Sequence, residues 1–194
     1  MGTELMPVVF VVLVGGIIFM VKRQDIQRQR LLLEEQAMKR QGGIHGNSIF
    51  FYPKLVFPCG GQDVTVYTRP ASRNSPAYTF MRAQLVSSGL YRVKIYREIR
   101  IFGVGTVLGQ DIRTGDPEFD KAFVVQGTDE MIVRALLQPQ IQLLLLGRKD
   151  WEPQLEIKNG RFVFQVRREV KNTGEMDTFI EAGLALLARA QETG

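Results

Sequence analysis

The chain has 194 residues, 45% of them apolar and 23% charged, with a formal net charge of +5; these are ordinary values for a globular protein with room for one well-packed domain. Its single cysteine, Cys59, and single histidine, His45, exclude an internal disulfide and any zinc or iron–sulfur site built from clustered Cys and His. The averages hide a segregation, because no charged residue lies between Leu5 and Val21.

The apolar run at residues 6–21 predicts an N-terminal transmembrane helix, with Met6, Val9, Phe10, Leu13, Gly15, Gly16, Ile17, Phe19 and Val21 as anchor residues. Residues 3–21 make 19 positions, close to the roughly 20 that span a bilayer. Pro7 falls in the first turn, where its missing N–H costs little. No basic residue precedes the run, and Lys22-Arg23 follows it where a signal peptide would carry small residues for cleavage, so a retained anchor is expected. Lys22, Arg23, Arg28 and Arg30 supply membrane-surface charge. With Lys39 and Arg40 they place the N-terminus outside and the domain in the cytoplasm, at the inner (cytoplasmic) membrane. Gly15-Gly16 permits close approach of a second helix, or is ordinary glycine tolerance within a span.

Residues 24–41 contain no Gly or Pro and continue the helix as a juxtamembrane stalk. Ile26, Leu33 and Ala37 share one face, with Leu32 beside them, suited to another helix, to headgroups, or to the protein's own domain. Gly42-Gly43 ends the helix. The divisions are therefore 1–41 for span and stalk, 42–47 for a linker and 48–194 for a soluble domain.

In that domain residues 48–57 are β-prone, though Pro53 weakens them as an interior strand. Residues 63–68 (DVTVYT) alternate, 77–86 form a longer strand, and 92–99 (RVKIYREI) alternate again, with Val93 and Ile95 opposite Arg92, Lys94 and Tyr96. Residues 122–125 read as a short buried strand. Thr128 is placed to cap a helix with Asp129 and Glu130 in its first turn, and Pro139 opens a second helix through Leu146. Asn159-Gly160 supplies a two-residue turn between Leu155/Ile157 and Phe162/Phe164/Val166. Met176, Phe179, Ile180, Gly183, Leu184 and Leu187 mark an amphipathic closing helix.

Candidate sites are few. Gly103, Gly105 and Gly109 follow a strand, but Gly115-Asp116-Pro117 cuts off the helix that a phosphate-binding loop must open into. Asp116, Glu118 and Asp120 offer three carboxylates at alternate positions; the simpler reading is a turn in which Asp116 caps backbone donors and Phe119 plugs the core. His45 has no nucleophile-elbow sequence to serve. Cys59 is expected to be an inert thiol. Arg92, Lys94, Arg97 and Arg100 make a basic strand, with Arg161, Arg167, Arg168 and Lys171 adding charge. With no RNA-binding signature present, the expected contacts are headgroups or an acidic partner and not nucleic acid.

The order YRVKIYRE, a glycine loop, then GDPEFDKAFVVQGTDEMIVRALLQPQIQLLLL, over residues 91–146, resembles an uncharacterised group of bacterial single-pass membrane proteins, each with an N-terminal span and a small α+β domain. The resemblance implies structural roles for Asp116, Phe119, Asp120, Phe123 and Pro139 and no activity.

Together these features predict an α+β fold: an N-terminal transmembrane helix and stalk, then a mainly antiparallel sheet of about six strands with three packed helices. The expected function is a non-enzymatic accessory subunit docking a cytoplasmic domain on a larger membrane assembly, such as an electron-transport or photosynthetic complex. Its expected partners are the bilayer and other membrane-protein subunits, with no cofactor and no metal. The alternatives are an anchored ligand-, lipid- or stress-sensing domain and an enzyme using the Asp116/Glu118/Asp120 cluster.

Overall fold

A computed structural model describes residues 5–46, 51–86, 91–97 and 112–193, with side chains at 5–13, 15 and 18 outside that set. Helix α1 (Leu5–Arg40) leads into eight strands and four further helices. The strands are β1 (Gly43–His45), β2 (Lys54–Cys59), β3 (Gln62–Arg69), β4 (Tyr78–Gln84), β5 (Arg92–Arg97), β6 (Phe123–Gly127), β7 (Gln154–Lys158) and β8 (Arg161–Val166). The helices are α2 (Pro117–Ala122), α3 (Glu130–Leu136), α4 (Pro139–Leu146) and α5 (Thr173–Thr193). All strands join one sheet in the order β1-β2-β3-β4-β8-β7-β5-β6, each pair antiparallel.

Alternation decides which side of the sheet is dry. Leu55, Phe57, Val64, Val66, Met81, Ala83, Phe162, Phe164, Val166, Leu155, Ile157, Val93, Ile95 and Val125 point to one face and are buried there. Helix α5 lies over the middle of that face. It buries Met176, Phe179, Ile180, Leu186 and Leu187, each worth about 2 kcal/mol of apolar transfer. Its Gly183 lets the backbone settle on the sheet: a Cβ there would come within 2.2 Å of Met81 Sδ and 3.1 Å of Phe164. Phe164 stacks on Phe179 with ring centroids 5.2 Å apart.

Two expectations are corrected. Among the described residues the sheet has eight strands, not about six, and four α-helices accompany α1, not three. The additional β1 lies inside the expected linker and is only three residues long, too short to show a period in sequence. Second, the transmembrane anchor, and with it the single-pass membrane assignment, is not found. Among the described residues no helix is long and apolar enough to cross a membrane. The apolar run gives way to charge at Lys22 and Arg23. Val14, Gly16, Ile17, Phe19, Met20 and Val21 are exposed on the helix; the side chains of Met6, Val9, Phe10, Leu13 and Gly15 lie outside the described residues.

The second half of α1 lies on its own domain. Ile26, Leu32, Leu33 and Ala37 are buried, and a polar seam ties the helix to α5 and the segment before it. Gln29 donates to Glu169 at 2.8 Å and to the Val170 carbonyl at 3.1 Å. Thr173 donates to Glu35 at 2.6 Å, and Lys39 and Arg40 both reach Asp177. Burial alone would raise the Asp177 carboxyl, but hydrogen bonds from Lys39, Gln36 and Arg40 hold it below the ordinary value. The helix ends where Gln41 turns left-handed (φ 53°) and the Gly42 amide donates back to Ala37.

Candidate functional site: the open face of the sheet

No helix covers the second face among the described residues. Its strand positions carry Lys54, Arg69, Arg82, Arg92, Lys94, Lys158 and Arg161, seven cations, against two carboxylates, Asp63 and Glu156. All seven cations are exposed. The register brings them together from distant parts of the chain: Arg82 faces Val163, Gln84 faces Arg161, Arg161 faces Lys158 and Lys158 faces Arg92.

Aromatic rings organise the left half of this face. Tyr67 and Phe80 are stacked at 5.0 Å and 14°. The Arg82 guanidinium lies over both rings at 5.1 and 5.5 Å, and Arg69 lies over Phe80 and Tyr78 at 5.3 and 5.1 Å. Lys54 sits over Tyr67 at 5.5 Å. The stack buries Phe80 to 6% exposure on what is otherwise the wet side of the sheet. Burial pushes the Tyr67 phenol upward, against the pull of Arg82 and Arg69. Each such cation–π contact contributes on the order of 0.5–1 kcal/mol at an exposed site and restricts where its cation sits.

The right half is grooved. A depression of about 480 Å³ is lined by Arg82, Gln84, Glu156, Lys158, Asn159 and Arg161 among others. A second, of about 350 Å³, adjoins it across β7 and shares Glu156 and Lys158, with Arg92, Lys94 and Thr128 on its far side. Among the described residues Arg82, Arg92, Lys158 and Arg161 have no carboxylate within 4.0 Å. Like charges placed directly across strands repel, and this row has two such pairs in succession.

Of the basic residues expected from sequence, Arg92 and Lys94 stand on this face. Arg97 does not join them: it is at the end of β5, where its guanidinium donates to the Lys149 carbonyl at 3.2 Å. Arg100, Gly103, Gly105 and Gly109 lie outside the described residues. Lys22, Arg23, Arg28 and Arg30 are exposed on α1, where Arg30 pairs with Glu34 at 2.7 Å. Lys22 and Arg28 instead flank a cleft of about 740 Å³, formed by α1 with Tyr52, Pro70 and Ala71.

The three carboxylates at 116–120 are occupied by structure. Asp116 accepts from the Glu118 and Phe119 amides at 2.8 and 3.1 Å, capping α2, and Phe119 is fully buried. Asp120 accepts from the Thr114 amide and hydroxyl, both at 2.8 Å, and from the Gly115 amide at 3.2 Å. Burial would raise its carboxyl; those donors and nearby Arg113 hold it lower. Among the described residues no group of three or more His, Cys, Asp or Glu is arranged to hold a metal ion. Cys59 is half-buried at the β2–β3 turn, and His45 ends the edge strand β1 opposite Lys54.

Neither a family model nor a curated protein sequence matches the chain. Its fold is similar to a solved structure, the crystal structure of the mycobacterial trehalose monomycolate transport factor A, TtfA, with a TM-score of 0.58 at 9% identity. The match covers 84% of this chain and 93% of that one. At such identity the likeness shows a shared fold and nothing about residues of the site.

Sequence reasoning missed Lys54, Arg69, Arg82 and Lys158 as members of the site. The available signal was the polar phase of the alternating strands: residues 82 and 84 and residues 154, 156 and 158 fall opposite the apolar positions. What sequence did not supply was the neighbour relation between β4 and β8, which puts Arg82 within reach of the Lys158–Arg161 turn.

Proposed function

We propose that the protein is a non-enzymatic interaction subunit that docks on a larger assembly through the open face of its sheet. The observation that supports this most is the charge row Arg161–Lys158–Arg92, held in register beside the Arg82 and Arg69 stack with no carboxylate partner among the described residues. A fold that keeps adjacent cations on a rigid surface gives up some stability there, and an anionic partner surface recovers it through complementary potential. The fold neighbour is titled a transport factor, which agrees with a binding role without specifying one here.

Amine crosslinking in native cells followed by mass spectrometry tests the reading. Crosslinks to a constant partner should come from Lys54, Lys94 and Lys158 and disappear in an Arg82→Glu/Arg161→Glu variant that keeps its thermal transition. Crosslinks concentrated instead on Lys39, Lys121 and Lys171, on the helical side, would overturn it.

A second reading, a ligand-binding domain, is favoured by the cleft beside α1, where Ile17 and Val21 give an apolar wall and Lys22 and Arg28 a basic rim. It requires a small molecule that raises the melting temperature of the wild type and not of an Arg28→Glu variant.

A further inference from the structure

We propose that the groove across β4, β8, β7 and β5 seats an acidic peptide segment of the partner, with its carboxylates on Arg82, Arg161, Lys158 and Arg92; this rests on the docking reading above. Three features of the groove select that chemistry.

Its cations come in two kinds. The Arg82 guanidinium carbon lies 5.1 and 5.5 Å from the Tyr67 and Phe80 ring centroids, and the side chain lines the groove; a guanidinium held against rings suits bidentate capture of a carboxylate. Arg161, Lys158 and Arg92 occupy successive strands in one cross-strand row, spaced about 4.8 Å apart. They are flexible enough to meet carboxylates spaced about 6.6 Å apart along an extended chain.

The remaining lining is suited to a peptide backbone. Gln84 and Asn159 stand at the same groove and each offers both a donor and an acceptor, the complement of peptide C=O and N–H groups. Glu156 sits between the two depressions. It would repel the closely spaced charges of a phosphodiester strand, while a peptide can place a neutral or basic residue opposite it.

The aromatic residues argue against single-stranded nucleic acid. Base binding on a sheet needs open ring faces. Here Tyr67 and Phe80 face each other, Arg82 and Arg69 cover them and Tyr78, and Lys94 lies over Tyr96 at 5.1 Å.

The test is fluorescence anisotropy with the full chain and a labelled Glu-rich decapeptide at low salt. Saturable binding is expected, weakened about tenfold or more by Lys158→Glu/Arg161→Glu and abolished by moderate salt, as screened surface contacts require. A Lys121→Glu/Lys171→Glu variant, with the same change in net charge on other surfaces, should bind as the wild type does. Both variants are first shown to keep the wild-type melting transition. Absence of saturable binding, equal binding of a Gln-rich peptide, equal loss in both variants, or tighter binding of an oligouridine probe would each overturn the proposal. If the peptide fails while cellular crosslinks still map to Lys94 and Lys158, docking stands and the acidic segment falls; if the crosslinks move to the helical side, the docking reading fails first.

Discussion

Strand β8 places Phe162, Phe164 and Val166 under helix α5 and Arg161, Val163 and Gln165 on the open side, alternating along six residues. The inner set is held by shape: Phe164 meets Phe179, and Gly183 above it has no room for a Cβ. In the outer set Arg161 faces Lys158 across the hairpin, with no carboxylate within 4.0 Å among the described residues, and Gln165 donates to Gln154. One face is closed by its own packing, while the other presents exposed cations to solvent. The contrast separates the residues that make the fold from those available for recognition, even where they are sequence neighbours.

The sharpest way to break this comparison is a pair of substitutions, one on β8 and one on α5 above it. Phe164→Ala removes a fully buried ring and should cost about 4 kcal/mol in chemical denaturation; a cost under about 1 kcal/mol would mean that the inner face is not close-packed. Gly183→Val should cost about 3 kcal/mol by overpacking, since the added carbon would overlap Met81 and Phe164. A smaller effect belongs to two carboxylates, Asp177 in the seam of α1 and Asp120 on α2. Asp177 and Asp120 have carboxyls held below their ordinary value of 3.8. Their contribution is therefore present above that value and is lost as pH falls through the lowered folded value. Thermal midpoints should drop as pH falls below about 4, with a shallower drop in Asp177→Asn. Smallest, and opposite in sign, is Arg161→Glu. It turns a repulsive cross-strand pair with Lys158 into an attractive one and should leave stability unchanged or raise it by about 0.5 kcal/mol. A clear loss there would show that the open face contributes to the fold and would blur the distinction drawn on β8.

Local chemistry was readable in the sequence where one residue type has one structural use. Asn159-Gly160 turns the β7–β8 hairpin with φ of 53° and 71°, Pro139 opens α4, Asp116 caps α2 and Phe119 is buried beneath it. Choices between adjacent polar residues were less legible. Thr128 was placed at the N-cap of α3, but Asp129 takes it, accepting from the Met131 and Ile132 amides, while the Thr128 hydroxyl accepts from the Arg92 amide across the sheet. A carboxylate outcompetes a hydroxyl for two amide donors. The apolar stretch at 6–21 was read as a span because hydropathy is a local sum, whereas the packing of residues 26–37 on α5 and the sheet depends on tertiary neighbours. For the same reason the site was only half visible: Arg92, Lys94 and Arg161 stood out as basic, but Arg82 belongs with them only because β4 pairs with a strand some eighty residues later.

Helix α1 runs unbroken for 36 residues, about 54 Å at 1.5 Å per residue, with its last turns clamped to α5 and the segment before it. A rod fixed at one end is a lever. A force applied near its first turns reaches the domain as torque on the Gln29–Val170 and Arg40–Asp177 contacts, which bridge more than 130 positions of chain. The first and last helices therefore share the load, and the helix-to-helix seam, not the sheet, is where the molecule should yield first when it is pulled.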